Sequence, residues 1–170
     1  LVVIECASQF PDKIKSIGLM GGAGAIPMNP ELLDLAEKGD PKAVDLMMDW
    51  AHGPSGHFGG HPVPGLHHMN LGGSIVVNGS VKNALGVDFR ACDNYKNGFE
   101  AAKKIKCPTL NILGDRDRMC PVKEGKKLAD NIEGSQVEII ENCGHMILLE
   151  EAGKSLGILK KFIRKNHPTE

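Results

Sequence analysis

The sequence predicts an α/β protein built on a parallel sheet, and three observations carry that expectation. Strand-like segments at residues 16–20, 109–113 and 136–140 have the length of buried strands, and each stops at glycine or at polar turn residues. The segments between them carry helix-start signals and apolar periodicity. Strands that alternate with helices need crossover connections, which make neighbouring strands parallel and cover both faces of the sheet.

Taken in order, residues 1–10 open on the apolar run Leu1, Val2, Val3, Ile4 and read as a helix that Pro11 and Asp12 end. Ser16 to Met20 reads as a short buried strand, which the glycines Gly21, Gly22 and Gly24 terminate. Residues 30–38 are predicted helical, with Asn29 as N-cap and Pro30 at the first helical position. Asp40 and Pro41 repeat the signal and open a second helix ending near His52. Residues 53–70 are rich in Gly, Pro and His and read as loop. One helix is predicted over residues 88–105, a strand over 109–113, a helix from Pro121 to about Ile132, and a strand over 136–140. A last helix carries Leu149, Ala152, Leu156, Leu159 and Ile163 in steps of three and four, which predicts a core-facing stripe. Lys160, Lys161, Arg164 and Lys165 near its end complement the helix dipole.

Composition narrows the function. The 170 residues suit one domain with a real core, and 41% hydrophobic content excludes a disordered chain. Lys and Arg number 20 against 21 Asp and Glu, a net charge of -1. That balance argues against a nucleic-acid partner, which requires phosphate neutralisation, and against a polybasic membrane anchor. No segment is apolar and long enough to span a bilayer, and no signal-peptide pattern is visible. The five cysteines, Cys6, Cys92, Cys107, Cys120 and Cys143, form no pairing pattern, so reduced thiols in a cytoplasmic protein are expected. The chain starts inside an apolar run without Met, which suggests a fragment, a processed chain or an incomplete reading frame.

Two loops carry the chemistry. Residues 114–121, Gly-Asp-Arg-Asp-Arg-Met-Cys-Pro, follow one predicted strand, and Asn142, Cys143, Gly144, His145 and Met146 follow the next. Ligands of open parallel sheets bind beyond the carboxyl ends of the strands, where both loops lie. A neutral imidazole can take a proton from a nucleophile near pH 7. A carboxylate on its other nitrogen sets the tautomer and stabilises the imidazolium. Either Asp115 or Asp117 could supply that carboxylate, Asp115 being also a plain solvated turn residue.

The segment from Cys107 to Pro121 resembles the acid-bearing strand and loop of the α/β-hydrolase superfamily, in which Gly-x-x-Asp-x-x-x-Pro places the acid on Asp117. Asn142, Cys143, Gly144 and His145, followed by Leu149 and Glu150, resemble its histidine loop. Residues 1–11 and 14–21 are similar to the helix after the nucleophile elbow and the strand that follows it. The resemblance implies a partial α/β-hydrolase fold: parallel strands, flanking helices and a mostly helical cap insertion. It implies hydrolase core over residues 1–25, cap over 26–87 and core again over 88–170. The order Asp then His completes a Ser, Asp, His triad in this superfamily. No Gly-x-Ser-x-Gly elbow occurs in the chain. It is expected roughly three to five residues upstream of Leu1. The oxyanion-hole donors are expected outside the chain too, so this fragment alone should be inactive.

Other features have plainer readings. His52, His57, His61, His67 and His68 crowd one region, and His57 and His61 have a spacing seen in some zinc sites. No cysteine lies there to complete a set, so pocket-lining or solvent-facing histidines are expected, with no metal and no cofactor. Gly21 to Gly24 lack the Lys-Ser/Thr of a phosphate-binding loop and read as a flexible exit from the strand. Met47, Trp50 and Met146 are candidates to line an apolar substrate pocket, and Met47 and Trp50 are equally candidates for core. Cys120 and Cys143 flank the site, but their loops already supply acid and base.

The expected activity of the intact protein is hydrolysis of a small ester or related acyl substrate, with His145 as base and Asp117 orienting it. Alternatives on the same fold are dehalogenase, epoxide-hydrolase or carbon–carbon hydrolase chemistry, the first two using an Asp nucleophile. A non-catalytic half-domain is a further alternative. The expected partners of the chain are a small-molecule substrate and either the missing N-terminal half of the fold or a second copy, because the strand at 16–20 would expose an edge.

Overall fold

The computed structural model describes residues 1–54 and 83–168. Among them the elements run α1 (Val2–Gln9), a 3-10 turn (Pro11–Lys13), β1 (Ile17–Met20), α2 (Pro30–Lys38) and α3 (Lys42–Ala51). They continue with α4 (Ala84–Asn94), α5 (Gly98–Ala102), β2 (Thr109–Gly114), α6 (Val122–Ala129), β3 (Gln136–Ile140), α7 (Ile147–Glu150) and α8 (Ala152–Asn166).

The strands form a parallel sheet in the order β1-β2-β3. Ile17 pairs with Thr109 and Met20 with Ile112, while Leu110 pairs with Gln136 and Gly114 with Ile140. Every residue of the central strand β2 is buried. Two layers cover the sheet. On one side Ile17 and Leu19 meet Ile4 and Ala7 of α1, Ala101 and Ala102 of α5, and Leu128 of α6. On the other, Leu110 and Ile112 meet Ile140, Ile147 and Phe162. Burial of each Ile, Leu and Phe among these contributes about 1.5–3 kcal/mol.

A third apolar cluster lies apart from the sheet. Leu32, Leu33 and Ala36 of α2 pack with Ala43, Val44, Met47 and Met48 of α3 and with Phe89 of α4. The predicted start of α2 is present in full: the Asn29 side chain accepts from the N–H groups of Glu31 at 2.9 Å and Leu32 at 3.2 Å, and Gly39 closes the helix at φ 70°. Helix α4 runs across the boundary expected between residues 87 and 88.

Three expectations need correction. The single helix predicted over residues 88–105 is two, α4 and α5, with the chain turning between Tyr95 and Asn97. The Glu5 carboxylate of α1 holds the turn: it accepts from Tyr95 Oη at 2.7 Å and Asn97 Nδ2 at 2.8 Å. The helix after Pro121 ends at Ala129, and Ile132 closes a tighter turn by donating to Ala129 O at 2.9 Å. Of the stripe expected from Leu149 to Ile163, only Leu159 packs against the core. Leu149, Leu156 and Ile163 are 36%, 49% and 45% exposed, and Ser155 and Phe162 point inward, with Ile158 and Leu159 beside them. The backbone at Glu151 (φ -135°, ψ 51°) separates α7 from α8, which takes Leu149 out of the helix that carries the other four residues.

Candidate active site

All three strands end at one edge, and the loops leaving them meet there. The acid loop is tied to the histidine loop through the backbone: Asp115 N donates to Ile140 O at 3.1 Å and Arg116 N to Cys143 O at 2.9 Å. Asp115 Oδ1 accepts from Cys143 N at 3.3 Å, so this carboxylate supports the histidine loop and does not reach the imidazole.

Asp117 does reach it. Its Oδ2 lies 2.8 Å from His145 Nδ1, and its Oδ1 accepts from Met119 N at 2.8 Å and Cys120 N at 2.7 Å. The Asp117 side chain is 0% exposed and that of His145 is 29% exposed. A carboxylate can only accept, so Nδ1 carries the proton and the neutral ring keeps its lone pair on Nε2. That is the tautomer a general base requires. Among the described residues none is hydrogen-bonded to Nε2.

Gly21 has a part that the sequence reading did not assign. It follows β1 at φ 57°, and a Cβ there would stand 2.7 Å from His145 Nδ1 and 3.2 Å from Asp117 Oδ2. The pair closes over the end of β1 only because residue 21 has no side chain. The signal in the sequence was a glycine at the carboxyl end of a strand, which reads equally well as a simple exit. Ala51, at the end of α3, was also missed: its carbonyl accepts from His145 N at 2.8 Å and Met146 N at 3.1 Å. A backbone acceptor leaves no mark in sequence.

The other candidates are distributed as follows. Met47 and Trp50 belong to the apolar cluster of α2, α3 and α4, which Met119 of the acid loop joins. Met146 precedes α7. A cavity of about 390 Å³ beside Asp117 is bordered by His52, Gly53, Pro54, Asp115, Arg116 and Arg118, and not by those three residues. His52 is buried, and its Nδ1–H donates to Met48 O at 2.9 Å. His57, His61, His67 and His68 lie outside the described residues. The thiols flanking the site are buried, and burial is the main cause that pushes both Cys120 and Cys143 up to about 12. Nearby carboxylates, Asp117 for Cys120 and Glu150 for Cys143, add to it. Both thiols are therefore protonated at neutral pH and are poor nucleophiles.

Known proteins resemble this chain in sequence and in fold. A family model described as serine hydrolase (FSH1) matches residues 67–147, a stretch that contains Asp117 and His145. Monoacylglycerol lipase ABHD6 of Bos taurus is 40% identical over 67 residues, 39% of this chain and 20% of that protein. Proline iminopeptidase of Lactobacillus acidophilus is 38% identical over 63 residues, 37% of this chain and 21% of that protein. Among solved structures, a thermophilic esterase from Thermogutta terrifontis superposes with a TM-score of 0.81 at 18% identity, covering 98% of this chain and 61% of that one. The enol-lactonase from Burkholderia xenovorans LB400 superposes with a TM-score of 0.80 at 21% identity, covering 94% of this chain and 60% of that one. The chain thus spans less than two thirds of the length of each of these relatives. The chain has the α/β-hydrolase fold along nearly its whole length, and the family match falls across both loops.

Proposed function

We propose that this chain supplies the acid and the base of a hydrolase that cleaves a small ester or related acyl substrate. The observation that carries the reading is the 2.8 Å contact between a fully buried Asp117 carboxylate and His145 Nδ1. Relatives described as a monoacylglycerol lipase, an esterase and an enol-lactonase favour an ester or lactone as the bond attacked.

In this reading a nucleophile from a segment outside these residues approaches His145 Nε2. Nε2 takes its proton as the nucleophile attacks the carbonyl. Asp117 holds the ring and stabilises the positive charge that forms on it. The imidazolium returns the proton to the leaving alcohol. Water, deprotonated by the same nitrogen, then hydrolyses the acyl-enzyme. The nucleophile and the donors for the oxyanion are not among the roles assigned to this chain, so we infer that the 170 residues alone do not turn over substrate.

The test is His145→Ala in the full-length protein, assayed on a short-chain aryl ester. We expect kcat to fall by ~10⁴-fold, as for loss of a triad member. Turnover equal to wild type would remove His145 from the mechanism.

A further inference from the structure

We propose that Glu150 is the positioning residue for the base, and this rests on the reading of His145 as that base. Its carboxylate sits where three backbone N–H groups converge. Glu150 Oε2 accepts from Gly144 N at 3.0 Å and from Gly53 N at 2.8 Å, and Oε1 accepts from Met146 N at 3.2 Å. Two of these donors are the residues immediately before and after His145. The third belongs to the chain just beyond α3, whose last carbonyl, Ala51 O, takes the N–H of His145 itself. One side chain therefore pins both ends of the catalytic residue's backbone and joins them to the strut formed by α3.

The packing leaves room for a carboxylate and for little else. A Cβ at Gly144 would collide with Gly53 N and stand 2.8 Å from Glu150 Oε1, and one at Gly53 would stand 2.8 Å from Glu150 Oε2. The two glycines let the strands of chain approach, and the approach aims their N–H groups at a common acceptor. Bonds from several N–H groups to an ionised acceptor are shorter and stronger than neutral ones. The division of labour is then clear in geometry. Asp117 sets the rotation of the imidazole ring, and Glu150 sets where the ring is carried. Glu150 touches neither His145 Nε2 nor, in this reading, the substrate. Its loss is expected to act on kcat through placement of the base.

The experiment compares Glu150→Ala, Glu150→Gln, Glu150→Asp and His145→Ala in the full-length protein. It measures kcat and KM on the same aryl ester, together with the downfield proton resonance of the Asp117–His145 bond. We expect Glu150→Ala to lower kcat by ~100-fold, the cost of misplacing a catalytic group by about 1 Å. KM should stay within about twofold, and the downfield proton should exchange faster. Gln keeps an acceptor for Gly53 and Gly144 and loses only the one facing Met146, so Glu150→Gln should recover most of kcat. If Glu150→Ala does not fold, Glu150→Asp decides, because its shorter side chain cannot reach all three N–H groups: a kcat loss at constant KM supports the proposal, and wild-type kcat with an unaltered resonance overturns it. A loss confined to KM also overturns it, since that would make Glu150 a substrate contact. If His145→Ala keeps its activity while Glu150→Ala still loses the downfield proton, the triad reading fails and the positioning of the imidazole stands.

Discussion

Asp117 is held by its own loop, whereas His145 is held by chain from three other places. The acid accepts from Met119 N and Cys120 N, two and three residues further on. The histidine loop leans on Ala51 at the end of α3, on Asp115 of the acid loop and on Glu150 of α7. The carboxylate of the acid is oriented within its own turn, although that loop is tied to the histidine loop through Asp115 N and Arg116 N. A base positioned by distant partners exists only after the sheet, α3 and α7 have assembled. The difference teaches that the two halves of the proposed acid–base pair differ in how much of the fold each one needs.

The largest effect should come from cutting the pair where it meets. Asp117→Asn keeps an oxygen for Met119 and Cys120, so its loop should stay folded, with a melting midpoint within about 5 °C of wild type. The new NH₂ faces His145 Nδ1 and forces the proton onto Nε2, so kcat should fall by ~10⁴-fold. A collapse of the melting transition would show that the acid loop is not self-supporting. Next comes Gly21→Ala, which disturbs the base from outside. A Cβ would stand 2.7 Å from the imidazole, and φ 57° is strained for alanine, costing about 1–2 kcal/mol. Displacement of the ring should lower kcat by ~100-fold, and an unchanged kcat would mean that the ring has slack.

Smaller is Asp115→Ala, which removes the acceptor for Cys143 N. Stability should drop by about 1 kcal/mol in a denaturant melt and kcat by less than ~10-fold. A loss as large as that of Asp117→Asn would reassign the acid. The smallest effect reads the loops through their thiols, Cys120 in one and Cys143 in the other. Burial pushes both up to about 12, so iodoacetamide near neutral pH should label exposed Cys6 and leave these two nearly untouched. Labelling of Cys143 alone, at the rate of Cys6, would show that the histidine loop opens while the acid loop stays shut.

Much of the fold is legible because its signals are local. Asn29 and Pro30 mark α2 without knowledge of any neighbour, and the strands ending at Met20, Gly114 and Ile140 are bounded by their own turn residues. The α8 stripe misleads for the converse reason. Ala152, Leu156, Leu159 and Ile163 have helical spacing, yet only Leu159 of these packs against the core, and Ser155 and Phe162 are the buried residues of the helix. Spacing gives the angles between residues on a helix and leaves open which angle meets the sheet.

The sequence by itself determined the α/β class, the strand ends that carry chemistry, and His145 with an acidic loop before it, since each depends on nearest neighbours along the chain. The resemblance already placed the acid on Asp117, and tertiary structure sets its carboxylate 2.8 Å from the imidazole while Asp115 braces the loop. Tertiary structure also decided that Gly21 must be bare, and that Ala51 and Glu150 hold the base. These are contacts across 28, 124, 94 and 6 positions of chain or between carbonyls and N–H groups that every residue carries. Such contacts leave no residue-type signature, and only packing brings them together.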